Sequence, residues 1–77
     1  MNRQAQAERI VTDPAVLLGK PIIRGTRVPV FLVAGLVEAA RTPEQIVDDY
    51  PELTIEDVEA AVAFAASEAA RTEERTL

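Results

Sequence analysis

The sequence predicts a mainly α domain, with three helices in a helix-turn-helix-like order behind a short N-terminal β segment and β-hairpin. Three observations carry this reading. Past Pro29, apolar residues recur at helical spacing: Val30, Val33, Ala34 and Val37, then Ile55, Val58, Ala61, Val62, Ala65 and Ala69. Two helix starts, Thr42-Pro43-Glu44-Gln45 and Thr54-Ile55-Glu56-Asp57, each set a capping threonine three residues ahead of a Gln or Asp. Before Pro29, glycine, proline and β-branched residues crowd residues 19–30, a composition that suits turns and short strands.

The elements follow in chain order. Residues 1–9 form a polar lead-in, expected to be flexible. Arg9-Ile10-Val11-Thr12 is β-like, and pairs with the hairpin or with a second copy of the chain. Asp13-Pro14 caps one helical turn through Val16 and Leu17, which Leu18-Gly19 ends, with Gly19 available for a positive φ. Arg24-Gly25-Thr26-Arg27 fits a two-residue hairpin turn with glycine at the first central position. That register pairs Ile23 with Val28 on an apolar face and Arg24 with Arg27 on the other, where two facing cations need a carboxylate, another anion or water. Pro29 opens a helix running through Ala40, apolar almost all round, which reads as a core helix or as one buried against a partner. A short helix from Pro43 to about Tyr50 buries Ile46, Val47 and Tyr50. Pro51-Glu52-Leu53 breaks it, and the last helix reaches about Ala70. The domain spans residues 10–66, with residues 67–77 as helix end and polar tail.

Composition narrows the chemistry. The chain has 77 residues, no cysteine and no histidine, and its rings are Phe31, Tyr50 and Phe64. A core built of small side chains in so short a chain is thin, and points to a homodimer or a bound partner. Thiolate zinc sites and His- or Cys-based nucleophilic catalysis have no material, and Lys20 is the only lysine. The carboxylates Asp48, Asp49, Glu52 and Glu56 read as a solvated face rather than a metal site. The expectation is a non-enzymatic protein without cofactor or metal. No stretch has the length of a membrane span and the N-terminus lacks an apolar signal core, so a cytoplasmic location is expected.

Charge divides the chain in two. Residues 1–41 carry +3 and residues 42–77 carry −8, which together give the net −5. The first half can meet an anion, and Lys20, Arg24, Arg27 and Arg41 are the candidates for binding DNA or another partner. The helix-turn-helix outline invites a DNA-binding reading, yet residues 42–60 contain seven acids and no base where a recognition helix would enter the groove. Those acids either serve solubility alone or suit a basic protein surface, such as one that binds RNA.

The run Gly19-Lys20-Pro21-Ile22-Ile23-Arg24-Gly25-Thr26-Arg27-Val28-Pro29-Val30 resembles the signature of a bacterial and archaeal family of small antitoxin-like proteins, catalogued as a numbered domain of unknown function. Thr42-Pro43-Glu44-Gln45-Ile46, Asp49-Tyr50-Pro51-Glu52-Leu53-Thr54, Asp57-Val58 and Ala60-Ala61 extend the match from about Ile10 to Ala66. The resemblance implies a helix-turn-helix-like domain with a short β element, often dimeric. Its members are encoded beside toxins with a PIN-like nuclease fold, and are regarded as type II antitoxins of the VapB kind. The expected function is therefore an antitoxin that neutralises a PIN-like ribonuclease toxin and represses its own operon as a dimer. Arg71, Arg75, Asp48 and Asp49 are the candidates for toxin contact. The alternatives are a DNA-binding transcriptional regulator without a toxin, or a small protein–protein interaction module.

Overall fold

The computed structural model describes residues 8–75, with side chains placed for residues 8–69. Strand β1 (Ile10–Val11) and strand β2 (Ile22–Ile23) pair antiparallel, Ile10 opposite Ile23 and Val11 opposite Ile22. On the other edge of β2, Ile22 bridges Pro29, and the Val30 amide donates to the Pro21 carbonyl at 3.0 Å. Strand β2 is thus held between two neighbours, and both of its side chains are buried. The β-like segment after Arg9 pairs within its own chain, the first of the two arrangements the sequence allowed.

The turn after β2 sits one residue earlier than the sequence suggests. The Thr26 amide and hydroxyl both donate to the Ile23 carbonyl, at 3.0 and 2.8 Å. The Thr26 hydroxyl also accepts from the Val28 amide at 3.0 Å, which places Thr26 last in the turn Ile23-Arg24-Gly25-Thr26. Gly25, with φ +78°, therefore occupies the second central position, where a type II turn needs positive φ. Ile23 still meets Val28, its amide donating to the Val28 carbonyl at 3.0 Å. Arg24 and Arg27 are thus the two ends of the loop between Ile23 and Val28, and the Arg24 amide donates to the Arg9 carbonyl at 2.8 Å.

Helix α1 (Val30–Glu38) begins with Pro29 as its cap residue. It stops short of Ala40 because the chain closes a left-handed end. Ala40 has φ +69°, its amide donates to the Val37 carbonyl, and the Arg41 amide donates to the Leu36 carbonyl, both at 3.0 Å. These are the two bonds of a Schellman motif, with alanine where glycine is usual.

Helix α2 (Pro43–Asp49) starts as the sequence predicts. The Gln45 amide donates to Thr42 Oγ1 at 3.2 Å, and the Thr42 amide donates to Gln45 Oε1 at 2.9 Å. Helix α3 (Ile55–Arg75) repeats the device: the Asp57 amide donates to Thr54 Oγ1 at 3.1 Å, and the Thr54 amide to Asp57 Oδ2 at 3.0 Å. Between these helices Leu53 turns inward, buried, with its amide on the Tyr50 carbonyl at 2.9 Å.

The core joins both halves of the fold. Ile23 and Val28 from the β region meet Val30 and Val33 of α1, Ile46 of α2, Leu53, and Val58 and Ala61 of α3. Helix α1 lies most broadly against α3. Its outer face is not covered: Val30 and Val33 are buried, whereas Phe31 is exposed. Two residues expected in the core of α3 lie outside it. Val62 falls at the rim of the buried arc formed by Asp57, Val58, Ala60 and Ala61, and Ala69 is exposed. The helix also continues past the expected Ala70 to Arg75. Residues 71–75 (Arg-Thr-Glu-Glu-Arg) are mostly good helix formers with no glycine or proline to stop them. The expected flexible lead-in falls almost wholly outside the described residues, as does the end of the polar tail. Among the described residues no helix is long and apolar enough to cross a membrane.

Candidate partner-binding surfaces

The four cationic candidates do not form one group. Lys20 lies two residues before β2, and Arg24 and Arg27 follow it, all three exposed. Lys20 lies over the Phe31 ring, with Nζ 5.3 Å from the ring centre. Arg24 lines an open hollow of about 410 Å³ together with Glu8, Arg9 and Asp57. Neither Arg24 nor Arg27 forms an ion pair among the described residues. Arg41 is set apart, for its guanidinium is ion-paired with Asp49 of α2. That pair joins a residue expected to meet DNA with one expected to meet a toxin, and both side chains remain well exposed.

A second ion pair has a structural part. Arg9 Nη1 donates to Asp57 Oδ1 at 3.0 Å, while Asp57 Oδ2 accepts from the Thr54 amide. Asp57 is only 8% exposed, so each oxygen of a nearly buried carboxylate has a partner. The bond ties the residue before β1 to the first turn of α3. The capping pattern identifies Asp57 in the sequence, but Arg9 stands 48 positions away and nothing local announces it.

The acidic face is continuous in sequence and open to solvent. Glu44, Asp48 and Asp49 on α2, Glu52 in the turn, and Glu56 and Glu59 on α3 are all exposed. Among the described residues no group of three or more His, Cys, Asp or Glu is placed to hold a metal ion. Arg71 and Arg75 stand one turn apart on the far end of α3. The helix continues for roughly three turns beyond Phe64, which is packed against the core. The side chains of Arg71 and Arg75 lie outside the described residues.

One surface was not anticipated. The 3-10 turn Leu17–Gly19 runs through three successive positive φ values, 51°, 57° and 81°. Gly19 adopts this freely, but a leucine in the left-handed region costs roughly 1–2 kcal/mol. Leu18 recovers nothing from packing, being 94% exposed. Leu17 is 45% exposed and Phe31 60% exposed. The Lys20 amide donates to the Leu17 carbonyl at 3.2 Å and its Nζ lies over the Phe31 ring, so Lys20 stands between the Leu17–Gly19 turn and Phe31. In the sequence Leu17 and Leu18 read only as the end of a turn. The signal that they face outward was their position beside Gly19, away from any periodic apolar run.

Comparison with known proteins follows the same outline. Residues 10–65 match the family described as protein of unknown function (DUF433). The uncharacterized protein y4eO of Sinorhizobium fredii (strain NBRC 101917 / NGR234) is 42% identical over 62 residues, covering 79% of this chain. The alignment spans only 28% of that protein's length. The crystal structure of a DUF433 member protein from Anabaena variabilis ATCC 29413 superposes with a TM-score of 0.75 at 26% identity. The match covers 94% of this chain and 71% of that one.

Proposed function

The chain belongs to the DUF433 family, and we propose that it is the antitoxin of a type II toxin–antitoxin pair, binding and neutralising a PIN-like ribonuclease. The observation that carries this reading is the exposed acidic face of α2 and the start of α3. A recognition helix docked in the usual way would press Glu44, Asp48, Glu52, Glu56 and Glu59 toward phosphates, and none of these is ion-paired within the described residues. A nuclease must offer RNA a positive surface, and that surface is complementary to these carboxylates. The resemblance of Gly19–Val30 and Thr42–Thr54 to antitoxin-like sequences supports the same partner. The far end of α3, with Arg71 and Arg75 one turn apart, supplies arginines of the kind that pair with metal-binding carboxylates of such an enzyme.

Operator binding would fall to the other side of the molecule. Lys20, Arg24 and Arg27 flank β2 and are exposed, and two copies would present them as a basic ribbon. This second role supports autorepression of the operon and needs no contact from α2.

The test is co-expression with the product of the adjacent gene. Growth rescue and co-purification are expected. Asp48→Lys with Glu52→Lys should weaken the complex by on the order of tenfold or more, most at low salt. A neighbour that is harmless, or that never associates with this chain, defeats the proposal for that gene pair. Rescue that survives the double charge reversal unchanged moves the contact away from the acidic face.

A further inference from the structure

The hollow lined by Glu8, Arg9, Arg24 and Asp57 brings two arginines together. The β1–β2 register sets Ile10 opposite Ile23, and one position further along it sets Arg9 opposite Arg24. The pairing reaches that far, since the Arg24 amide donates to the Arg9 carbonyl. Residues opposite one another in an antiparallel pair share a face, with Cβ atoms about 4.5–5.5 Å apart, and two cations there repel. Asp57 answers one of them, its Oδ1 accepting from Arg9 Nη1 and its Oδ2 from the Thr54 amide. Both oxygens of that carboxylate are thereby committed. Arg24 has no counter-charge among the described residues, and neither has Glu8, the remaining carboxylate of the hollow.

We propose that this hollow binds one protonated oxyanion, a phosphate monoester or inorganic phosphate, held by Arg24 and Arg9 with its P–OH donating to Glu8. A guanidinium presents paired N–H groups that match two phosphate oxygens, and an anion between the two arginines relieves the repulsion across the strands. Arg9 keeps N–H groups for this purpose, because its bond to Asp57 uses Nη1. Glu8 sets the class of ligand. An ionised carboxylate only accepts, so it repels an oxyanion without a proton and takes a hydrogen bond from one that has a proton to give. A phosphate monoester keeps a proton over part of the neutral range, its second pKa being about 6. Sulfate and the diesters of a nucleic-acid backbone have none to give.

The hollow measures about 410 Å³, within the roughly 300–1,000 Å³ usual for small-molecule sites. All four lining residues are charged, so the hollow recognises the phosphate head and leaves the organic part of an ester to solvent. The inference does not rest on the nuclease reading, since it concerns a small ligand on the lone chain. It meets the operator reading at one residue, because Arg24 held by a monoester is not available to a DNA phosphate.

The experiment titrates the full chain with inorganic phosphate, and separately with sulfate at matched ionic strength, near pH ~6 where phosphate keeps its proton. Amide NMR reads the site. Phosphate should move the Arg9 and Arg24 amides to saturation, and sulfate should bind about tenfold more weakly or worse. Arg24→Gln should weaken phosphate binding by about tenfold or more with an unchanged circular dichroism spectrum, because the Arg24 side chain is exposed and its backbone bond to Arg9 remains. Glu8→Gln should bring sulfate and phosphate to within about twofold of each other, since an amide can donate to either. No saturable shift with phosphate, equal affinity for sulfate in the native chain, or phosphate binding that survives Arg24→Gln overturns the proposal. A DNA duplex that moves the Arg24 amide where phosphate does not also overturns it, and leaves Arg24 to the operator.

Discussion

Ile46→Ala is expected to leave the chain without a cooperative thermal transition. Ile46 is 0% exposed and sits where α2 meets the rest of the core, among Ile23, Val28, Val33, Leu53, Val58 and Ala61. Truncating a fully buried isoleucine to alanine costs roughly 2–5 kcal/mol, the transfer of the removed methyl groups plus the cavity they leave. A domain of this size holds only about 3–5 kcal/mol in its core, so the loss is comparable with the whole. The cavity cannot be filled cheaply, because neighbouring residues such as Ala61 are too short to reach into it. Differential scanning calorimetry is the measurement, and Ile46→Val is the control. The valine variant should keep a sharp transition at a lower temperature, having lost roughly 0.5–1.5 kcal/mol. A normal transition in the alanine variant would mean that α2 contributes little to the core.

Asp57→Ala is expected to lower the melting temperature by about 10–20 °C, for about 2–3 kcal/mol lost in a domain of this size. Two bonds disappear together. The Thr54 amide loses its acceptor at the start of α3, a capping loss typically near 1 kcal/mol. Arg9 loses the anion that holds it, and its side chain, 38% exposed, keeps partial access to water, which moderates the cost. Asp57→Asn separates the two effects, because its amide oxygen can still accept from Thr54 while the charge facing Arg9 is gone. Thermal unfolding followed by circular dichroism should place the asparagine variant between the native chain and Asp57→Ala. Equal melting of all three would make the Arg9 tie and the cap irrelevant to stability.

The sequence exposes the parts of this fold that rest on neighbours in the chain. Both capping boxes are legible because Thr42 with Gln45, and Thr54 with Asp57, satisfy each other over three residues. The three helices follow from apolar spacing, and Gly19 and Gly25 each take the positive φ that their turns require. What is decided between distant residues was hidden. The turn after β2 slips by one residue because the Thr26 hydroxyl takes two bonds that only the closed turn creates. Helix α1 ends early because Arg41 and Ala40 bond back to Leu36 and Val37, with no glycine to mark the place. Among the candidate site residues, Lys20, Arg24 and Arg27 are exposed. Arg41 and Asp49, candidates for different partners, are paired with each other, a contact between residues eight apart that no local pattern marks. The exposure of Phe31 is not legible in the sequence, because an apolar residue inside a periodic apolar run carries no mark of whether it faces in or out.

The tie between Arg9 and Asp57 also bears on the order in which the molecule assembles. The capping boxes and the Schellman end close over three to five residues, and such local events are complete within about a microsecond. Joining Arg9 to Asp57 closes a loop of 48 positions and cannot stabilise anything until α3 has its first turn and β1 has found β2. It is therefore made late and released early. Native-state amide exchange should find the Arg24 amide, bonded to the Arg9 carbonyl, opening at lower free energy than the Val58 amide inside α3. Equal protection at both would make the molecule a single cooperative unit. The lower value makes β1 a clasp, the piece that opens first while the three helices stay folded.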